Sequence, residues 1–438
     1  MKRFLLVGLL ALLVAGGLAL ADGNKVKITF WHAMGGWRVP FIERMVEDFN
    51  LTHPWIEVSV EYKGSYRDTL NAALAAARAG NPPHIVHSFD IGTQMNLDSG
   101  IFVSLEKLTD KYGLVVPWED YIPAALNYYK VGGKLFCMPW NSSNPILYYN
   151  KTILDKVGAE MPKKPTFQDI YEISKKIVEA KAAEYGITWP LHSWFFEQWM
   201  ADMGANLANN DNGRSGYATE VNLLDPVAIR IMEWWKKLYD EGLWVNPGRE
   251  NWSQARQIFI SGQSAMLISS TSDVTKMENA AVDQGFELGT AFIPVASEFG
   301  RHGVVIGGGA LWVTGGHSDE ELKAAATFVV WMTQVAQTIR WHQGTGYFPI
   351  RKSAVDILEK EGWFITHPNH RTALDQLSET QSITATQGAL MGNFLEARTF
   401  IEDAVEAILA GTPIEKALGE AKAKIDQGLK DYLELVGG

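Results

Sequence analysis

Cysteine is nearly absent: among 438 residues there is one, Cys137. No intramolecular disulfide is open to the chain, so stability in an oxidising compartment has to come from its core. Positive charge is also short, with 39 Lys and Arg against 50 Asp and Glu and a formal net charge of −11. That balance argues against nucleic acid or an anionic membrane surface as partner. Catalytic signatures are missing too. The chain holds no GxSxG elbow, HExxH pair, Walker lysine motif or GxGxxG, and Gly307-Gly308-Gly309 lacks dinucleotide spacing. His367-Pro368-Asn369-His370 offers two imidazoles, but proline stands between them and no further ligand is visible, so neither a metal nor a cofactor is expected. Two facing carboxylates, as a secreted hydrolase would need, are not excluded by residue types alone.

What is present begins with an export signal. Lys2-Arg3 precedes an apolar run from Phe4 to Leu18, and Ala19-Leu20-Ala21 is a small-x-small cleavage site. The expectation is a signal peptide over residues 1–21, cleavage before Asp22, and a periplasmic protein without a lipid anchor, since no cysteine follows the apolar run. The run is too short to be a comfortable membrane span. Loss of Lys2 and Arg3 takes the formal charge from −11 to −13.

The remaining length, 47% hydrophobic, suits two cores, because single cores stop growing near roughly 250–300 residues. No low-complexity run or solenoid repeat interrupts it. Val26 to Trp31 alternates as a half-buried strand, Phe41, Ile42, Met45, Val46 and Phe49 fall at helical spacing, and Ile56, Val58, Val60 and Tyr62 alternate again. Strand, helix and strand within forty residues imply a βαβ unit and a parallel sheet. Ser65/Asp68, Thr166/Asp169 and Ser318/Glu321 have capping-box spacing, and Asp225-Pro226 starts a further helix. His84 to Phe89 reads as a third strand ending at Asp90, where ligands of open α/β sheets gather.

One stretch organises the rest. Pro139-Trp140-Asn141-Ser142-Ser143-Asn144-Pro145 brackets a polar turn with prolines, and Ile146 to Lys151 follows as a strand entering a new unit. Its Asn and Ser groups either cap a surface turn or hydrogen-bond a polar ligand between lobes. Ser269-Ser270-Thr271-Ser272, after the strand Ala265 to Ile268, and Val304 to Val313 are two more candidate crossings. Three crossings describe a hinge. The aromatic loop Trp189 to Trp194 reads first as packing; Gly344 to Pro349 carries Tyr347, and Met391-Gly392-Asn393 precedes Arg398 on a final helical layer.

In order along the chain, Phe30-Trp31-His32, Tyr62-Lys63-Gly64, Pro139 to Lys151, Gly307 to Val313, Trp341-His342-Gln343 with Gly346-Tyr347, and Gly392-Asn393 with Arg398 resemble the glycerol-3-phosphate receptors of bacterial ABC importers. These belong to the extracellular solute-binding family that also contains maltose-binding protein. The resemblance covers nearly the whole mature chain. It implies an α/β, two-lobe periplasmic-binding-protein fold with a three-segment hinge and an interlobe ligand cleft. Its lobes would be residues 22–139 with 272–313 and residues 140–271 with 314–438. It implies a monomeric, non-enzymatic receptor that delivers a phosphorylated glycerol to a membrane permease.

Matched motif by motif, the family's ligand residues fall on Tyr66, Asp90, Ser143, Ser270, Gly308, Tyr347 and Arg398. A guanidinium fork and hydroxyl donors suit phosphate, and a carboxylate suits the glycerol hydroxyls. Two departures stand out. Asp90 replaces the Glu of enterobacterial relatives, and the Trp of their cleft falls on Leu191 or, with a two-residue shift, on Trp189. With Leu191 as the match, a glycerophosphodiester such as glycerophosphocholine fits as well as glycerol 3-phosphate. An oligosaccharide receptor of the same family is the alternative, given 16 Trp.

Overall fold

The computed structural model describes residues 25–437, so the expected signal peptide, 1–21, lies outside the described residues. The strands in chain order are β1 (Val26–His32), β2 (Ile56–Tyr62), β3 (Ile85–Phe89), β4 (Phe102–Val103), β5 (Lys130–Val131), β6 (Lys134–Leu135), β7 (Met138–Ser143), β8 (Pro145–Asn150), β9 (Tyr185–Thr188), β10 (Trp244–Val245), β11 (Ser264–Ser270), β12 (Leu288–Ala291) and β13 (Gly307–Thr314). One sheet runs β2-β1-β3-β13-β4, with β7 also on β13, and a second runs β10-β9-β11-β8-β12. Packing groups residues 25–88, 101–116 and 311–332 into one unit and 89–100, 117–310 and 333–437 into another.

In the first unit β1 pairs β2 in parallel, Val26 opposite Ile56 through His32 opposite Tyr62, as the βαβ pattern predicts. The crossover helix Arg38–Thr52 buries Ile42, Met45, Val46 and Phe49, the inward side of its 3.6-residue repeat. Phe49 meets Phe328 edge-on at 4.9 Å, and Phe30 lies 5.6 Å from the same ring, which closes the core between sheet and helix. The next helix, Tyr66–Arg78, starts on the expected Ser65/Asp68 box.

The second unit is built on β8 and β11, antiparallel with Met266 opposite Tyr149 and Ser270 opposite Pro145. Its helices Phe167–Glu179 and Pro226–Asp240 start on the Thr166/Asp169 box and on Asp225. Between them Trp189 stacks on Trp234 at 5.4 Å and meets Trp199 at 5.5 Å, in a cluster that also takes in Trp235 and Trp244. Offset and edge contacts of this kind add stabilisation beyond the apolar area they bury.

Two expectations are corrected. The polar turn between Pro139 and Pro145 is β-structure, β7 running to Ser143 and β8 starting at Pro145, with Asn141, Ser142 and Asn144 fully buried. Pro145 is the first residue of its strand, a position where a missing N–H breaks no ladder. Second, residues 89–100, 117–139 and 272–310 pack with the second unit, not with the N-terminal lobe where they were expected, and residues 314–332 pack with the first unit rather than the second lobe. For 272–310 the reason is β12, which pairs with β8, Leu288 opposite Asn150 through Ala291 opposite Leu147.

Candidate functional site

Asp90 follows β3 directly and opens a short 3-10 turn, Asp90–Gly92. Only 5% of its surface is exposed. Burial raises its pKa to about 7, opposed by the Arg398 guanidinium and reinforced by the Glu197 carboxylate. Arg398 projects from the helix Phe394–Leu409 and is itself buried. It donates from Nε to Glu197 Oε1 at 2.8 Å and from Nη2 to Glu197 Oε2 at 2.7 Å, a bidentate fork. Burial opposes its charge, yet Glu197 and Asp90 outweigh burial and push the guanidinium pKa up.

Glu197 is held in turn. Its helix, Ser193–Asp202, places Ser193 one turn earlier, where the hydroxyl donates to Glu197 Oε1 at 2.9 Å. The helix start is anchored by Glu402, which accepts from the Ser193 N–H at 3.1 Å and lies 3.1 Å from His192 Nδ1. Tyr128 joins the group, its hydroxyl donating to the Ala389 carbonyl at 2.7 Å and its pKa pushed well up by burial. Asp90, Tyr128, Trp194, Glu197 and Phe394 line a cavity of about 20 Å³, room for about one water.

A second group of candidates gathers where β7 and β11 end and β8 begins. Asn144 O accepts from the Thr271 N–H at 2.9 Å, which ties the end of β7 to the residue after Ser270. Ser270 Oγ accepts from the Ser272 N–H at 3.2 Å. The Phe348 N–H donates to Ser142 O at 3.2 Å, which ties the residue after Tyr347 to the residue before Ser143. Tyr347 is buried and stacks on Trp341 at 5.6 Å. Gly308 has φ +107°, and a Cβ there would lie 1.9 Å from Asn141 O, so β13 approaches β7 as only glycine permits. A Cβ on Gly307 would lie 2.9 Å from the Trp194 ring. Those two glycines join the Asp90–Arg398 group to the serine group.

Six sequence candidates, Asp90, Ser143, Ser270, Gly308, Tyr347 and Arg398, thus belong to the second unit and connect through this framework. Tyr66 lies in the first unit, its ring edge-on to His87 at 4.9 Å. Leu191 and Trp189 are fully buried, Leu191 bridging Arg249 and Trp189 inside the tryptophan cluster. Sequence reading passed over Glu197 and Tyr128, and Ser142 entered it only within the Pro139 to Pro145 stretch. The hydroxyl of Ser142 is buried with no hydrogen-bond partner, a group that a polar ligand would satisfy. The spacing of Ser193 and Glu197, one helical turn apart, was the available signal for Glu197.

Two α/β units, the second holding a buried polar cluster, are the architecture of a solute-binding protein. The chain belongs to the bacterial extracellular solute-binding protein family, whose model matches residues 44–372. It is 30% identical over 421 residues to the sn-glycerol-3-phosphate-binding periplasmic protein of Rhizobium meliloti, covering 94% of this chain and 96% of that one. The protein of the same name from Escherichia coli is 28% identical over 430 residues, 96% of this chain and 96% of its own length. Among solved structures, UgpB from Mycobacterium tuberculosis in complex with glycerophosphocholine has TM-score 0.74, 22% identity and coverage of 94% and 99%. The GacH receptor of Streptomyces glaucescens, solved unliganded and with acarbose, has TM-score 0.78, 20% identity and coverage of 94% and 100%. The fold is that of the two-lobe, maltose-binding-protein-like receptors.

Proposed function

We propose that this protein is the exported receptor of an ABC importer, and that it binds glycerol 3-phosphate or a glycerophosphodiester and hands it to a membrane permease. The observation that carries the reading is the buried Arg398 facing Asp90. Glu197 occupies Nε and one Nη2 hydrogen, which leaves three of the five guanidinium donors for a phosphate. The hydroxyls of Ser143, Ser142 and Ser270, with Tyr347, supply further donors, and the Gly308 backbone allows close approach. Asp90 accepts from glycerol hydroxyls and repels a misplaced phosphate, which sets orientation. Tyr66 enters this reading through the family resemblance.

The same proposal includes a monomer, a signal peptide cleaved before Asp22, no lipid anchor, no catalysis, and ligand-induced hinge closure. Among the described residues no helix is long and apolar enough to cross a membrane. Titration calorimetry with glycerol 3-phosphate, glycerophosphocholine and maltodextrins tests the ligand. Saturable binding of either phosphate compound without turnover is the expected result. Binding of maltodextrin alone would overturn it in favour of the oligosaccharide reading, and release of choline or glycerol would make the protein a hydrolase.

A further inference from the structure

The two histidines of the His367-Pro368-Asn369-His370 segment acquire a third partner in the fold. His367 closes the short helix Trp363–Thr366, and a 3-10 turn, Pro368–His370, carries the chain into the helix Arg371–Ser378. This turn packs on the helix Val274–Gln284, which presents Glu278. Glu278 Oε2 lies 2.9 Å from His367 Nδ1 and 3.4 Å from His370 Nε2. All three ligand atoms fall within 4.8 Å of one another.

We propose that Glu278, His367 and His370 form a binding site for a divalent transition metal of the zinc type, separate from the Asp90–Arg398 group. Two imidazoles and one carboxylate, with a fourth position open to water, are a zinc donor set. Bonds of about 2.0–2.2 Å in a tetrahedron put ligand atoms roughly 3.3–3.5 Å apart. Of the two spacings to Glu278, the one to His370 already fits and the one to His367 needs to open by about half an ångström. His367 is half-exposed at 37% of its side chain, so an ion and a coordinating water have a way in.

The surroundings of the three residues favour an ion over a plain hydrogen-bonded cluster. Asn369 Nδ2 donates to Glu278 Oε1 at 3.1 Å, while Thr290 Oγ1 donates to Asn369 Oδ1 at 3.2 Å. That arrangement fixes the carboxylate and leaves Oε2 for the metal, as outer partners do in metal sites. Two buried ring nitrogens beside it have no hydrogen-bond partner, His370 Nδ1 and His342 Nε2. Their rings lie 5.0 Å apart, centroid to centroid, and edge-on. His342 spends its Nδ1 proton on the Tyr347 carbonyl, 2.8 Å away, so Nε2 keeps a lone pair. A metal on His370 Nε2 moves that ring's proton to Nδ1, toward the nearest ring with an unused lone pair. On His367 the proton moves from Nδ1 to Nε2.

Among the described residues, His192, Glu250 and Glu402 also converge, and so do His84, His317 and Glu321. There His84 Nδ1 accepts the Thr29 N–H at 3.1 Å, so the proton sits on Nε2, the atom that faces Glu321. An N–H in that position cannot ligate.

The test is titration of the chelator-stripped full chain with Zn²⁺ by calorimetry, and with Co²⁺ by visible absorption. Expected are one ion per chain and intense visible bands of four-coordinate Co²⁺ that Zn²⁺ abolishes. His367→Ala and Glu278→Gln should each weaken binding at least ten-fold, while His84→Ala and His192→Ala leave it unchanged. Absence of saturable binding, binding indifferent to His367→Ala and Glu278→Gln, or binding lost on His84→Ala or His192→Ala would each overturn the proposal.

Discussion

Replacing Asp90 by Asn keeps the side chain's size and removes its titration, so a comparison with the wild type isolates one buried carboxyl. In the folded protein its pKa is raised to about 7, with burial the leading cause, against an ordinary value of 3.8. The sign follows from linkage: the folded state holds the proton more tightly than the unfolded state. Its contribution to stability is present in full below about pH 4 and is lost as pH rises through 7. About 3 units at about 1.4 kcal/mol each give a loss of roughly 4 kcal/mol across that window. Urea unfolding of both proteins from pH 4 to 8 reads it directly. The wild type minus Asp90→Asn difference should fall by about 1.4 kcal/mol per pH unit between pH 4.5 and 6.5 and flatten above pH 7.5. A flat difference would mean that Asp90 is solvated or paired in a way that this geometry does not contain. Binding gives a second reading of the same proton. A glycerophosphodiester does not titrate in this range, and its hydroxyls donate to ionised Asp90. Its affinity should therefore weaken toward ten-fold per unit as pH falls below 7.

Arg398→Ala should cost roughly 2–4 kcal/mol of phosphate-ligand affinity, with a neutral sugar much less affected. It also strands Glu197 and Asp90, so chemical denaturation should show a loss of about 3–5 kcal/mol; calorimetry at wild-type affinity for both phosphate compounds would remove Arg398 from the site. Gly308→Ala sets a Cβ 1.9 Å from Asn141 O at a φ of +107°. Strain of about 1–3 kcal/mol, with the clash added, should lower the melting temperature by several degrees, and an unchanged melting curve would contradict the close approach of β13 and β7.

Local chemistry was legible in the sequence and long-range pairing was not. The boxes at Ser65/Asp68, Thr166/Asp169 and Ser318/Glu321 are contacts three residues apart, so spacing alone finds them. The parallel pairing of β1 and β2 follows from a crossover of ordinary length. By contrast, the Arg398–Glu197 fork joins residues 201 positions apart, and nothing in the local pattern of either marks the other. Pro139 to Pro145 misled because proline punctuates turns, whereas here the surrounding β-structure takes up the flanking residues and buries the Asn and Ser groups. Glu278 shows the same limit, lying 89 residues from His367. A pair of imidazoles looked incomplete only because its carboxylate is on another helix.

Head-group choice is tested by comparing Leu191 and Trp189 with Trp194. Leu191 and Trp189 are fully buried, and Trp189 makes ring contacts with Trp199, Trp234, Trp235 and Trp244. Leu191→Trp adds an indole to filled space, which typically costs about 1–3 kcal/mol. That cost should appear as lost stability and as equal, small changes in affinity for glycerol 3-phosphate and glycerophosphocholine. Trp189→Leu should likewise act through the core, as loss of a large aromatic from a packed cluster does. Trp194 differs, since its ring borders the cavity with Asp90 and Glu197 and lies against Gly307. Trp194→Leu should widen that wall, leave glycerol 3-phosphate affinity within about three-fold, and improve the diester by about ten-fold or roughly 1.4 kcal/mol. Paired calorimetry of the three variants with the two ligands decides it. Selective loss of the diester in Leu191→Trp alone would restore Leu191 to the site, because overpacking remote from the ligand has no means of telling a choline ester from a bare phosphate.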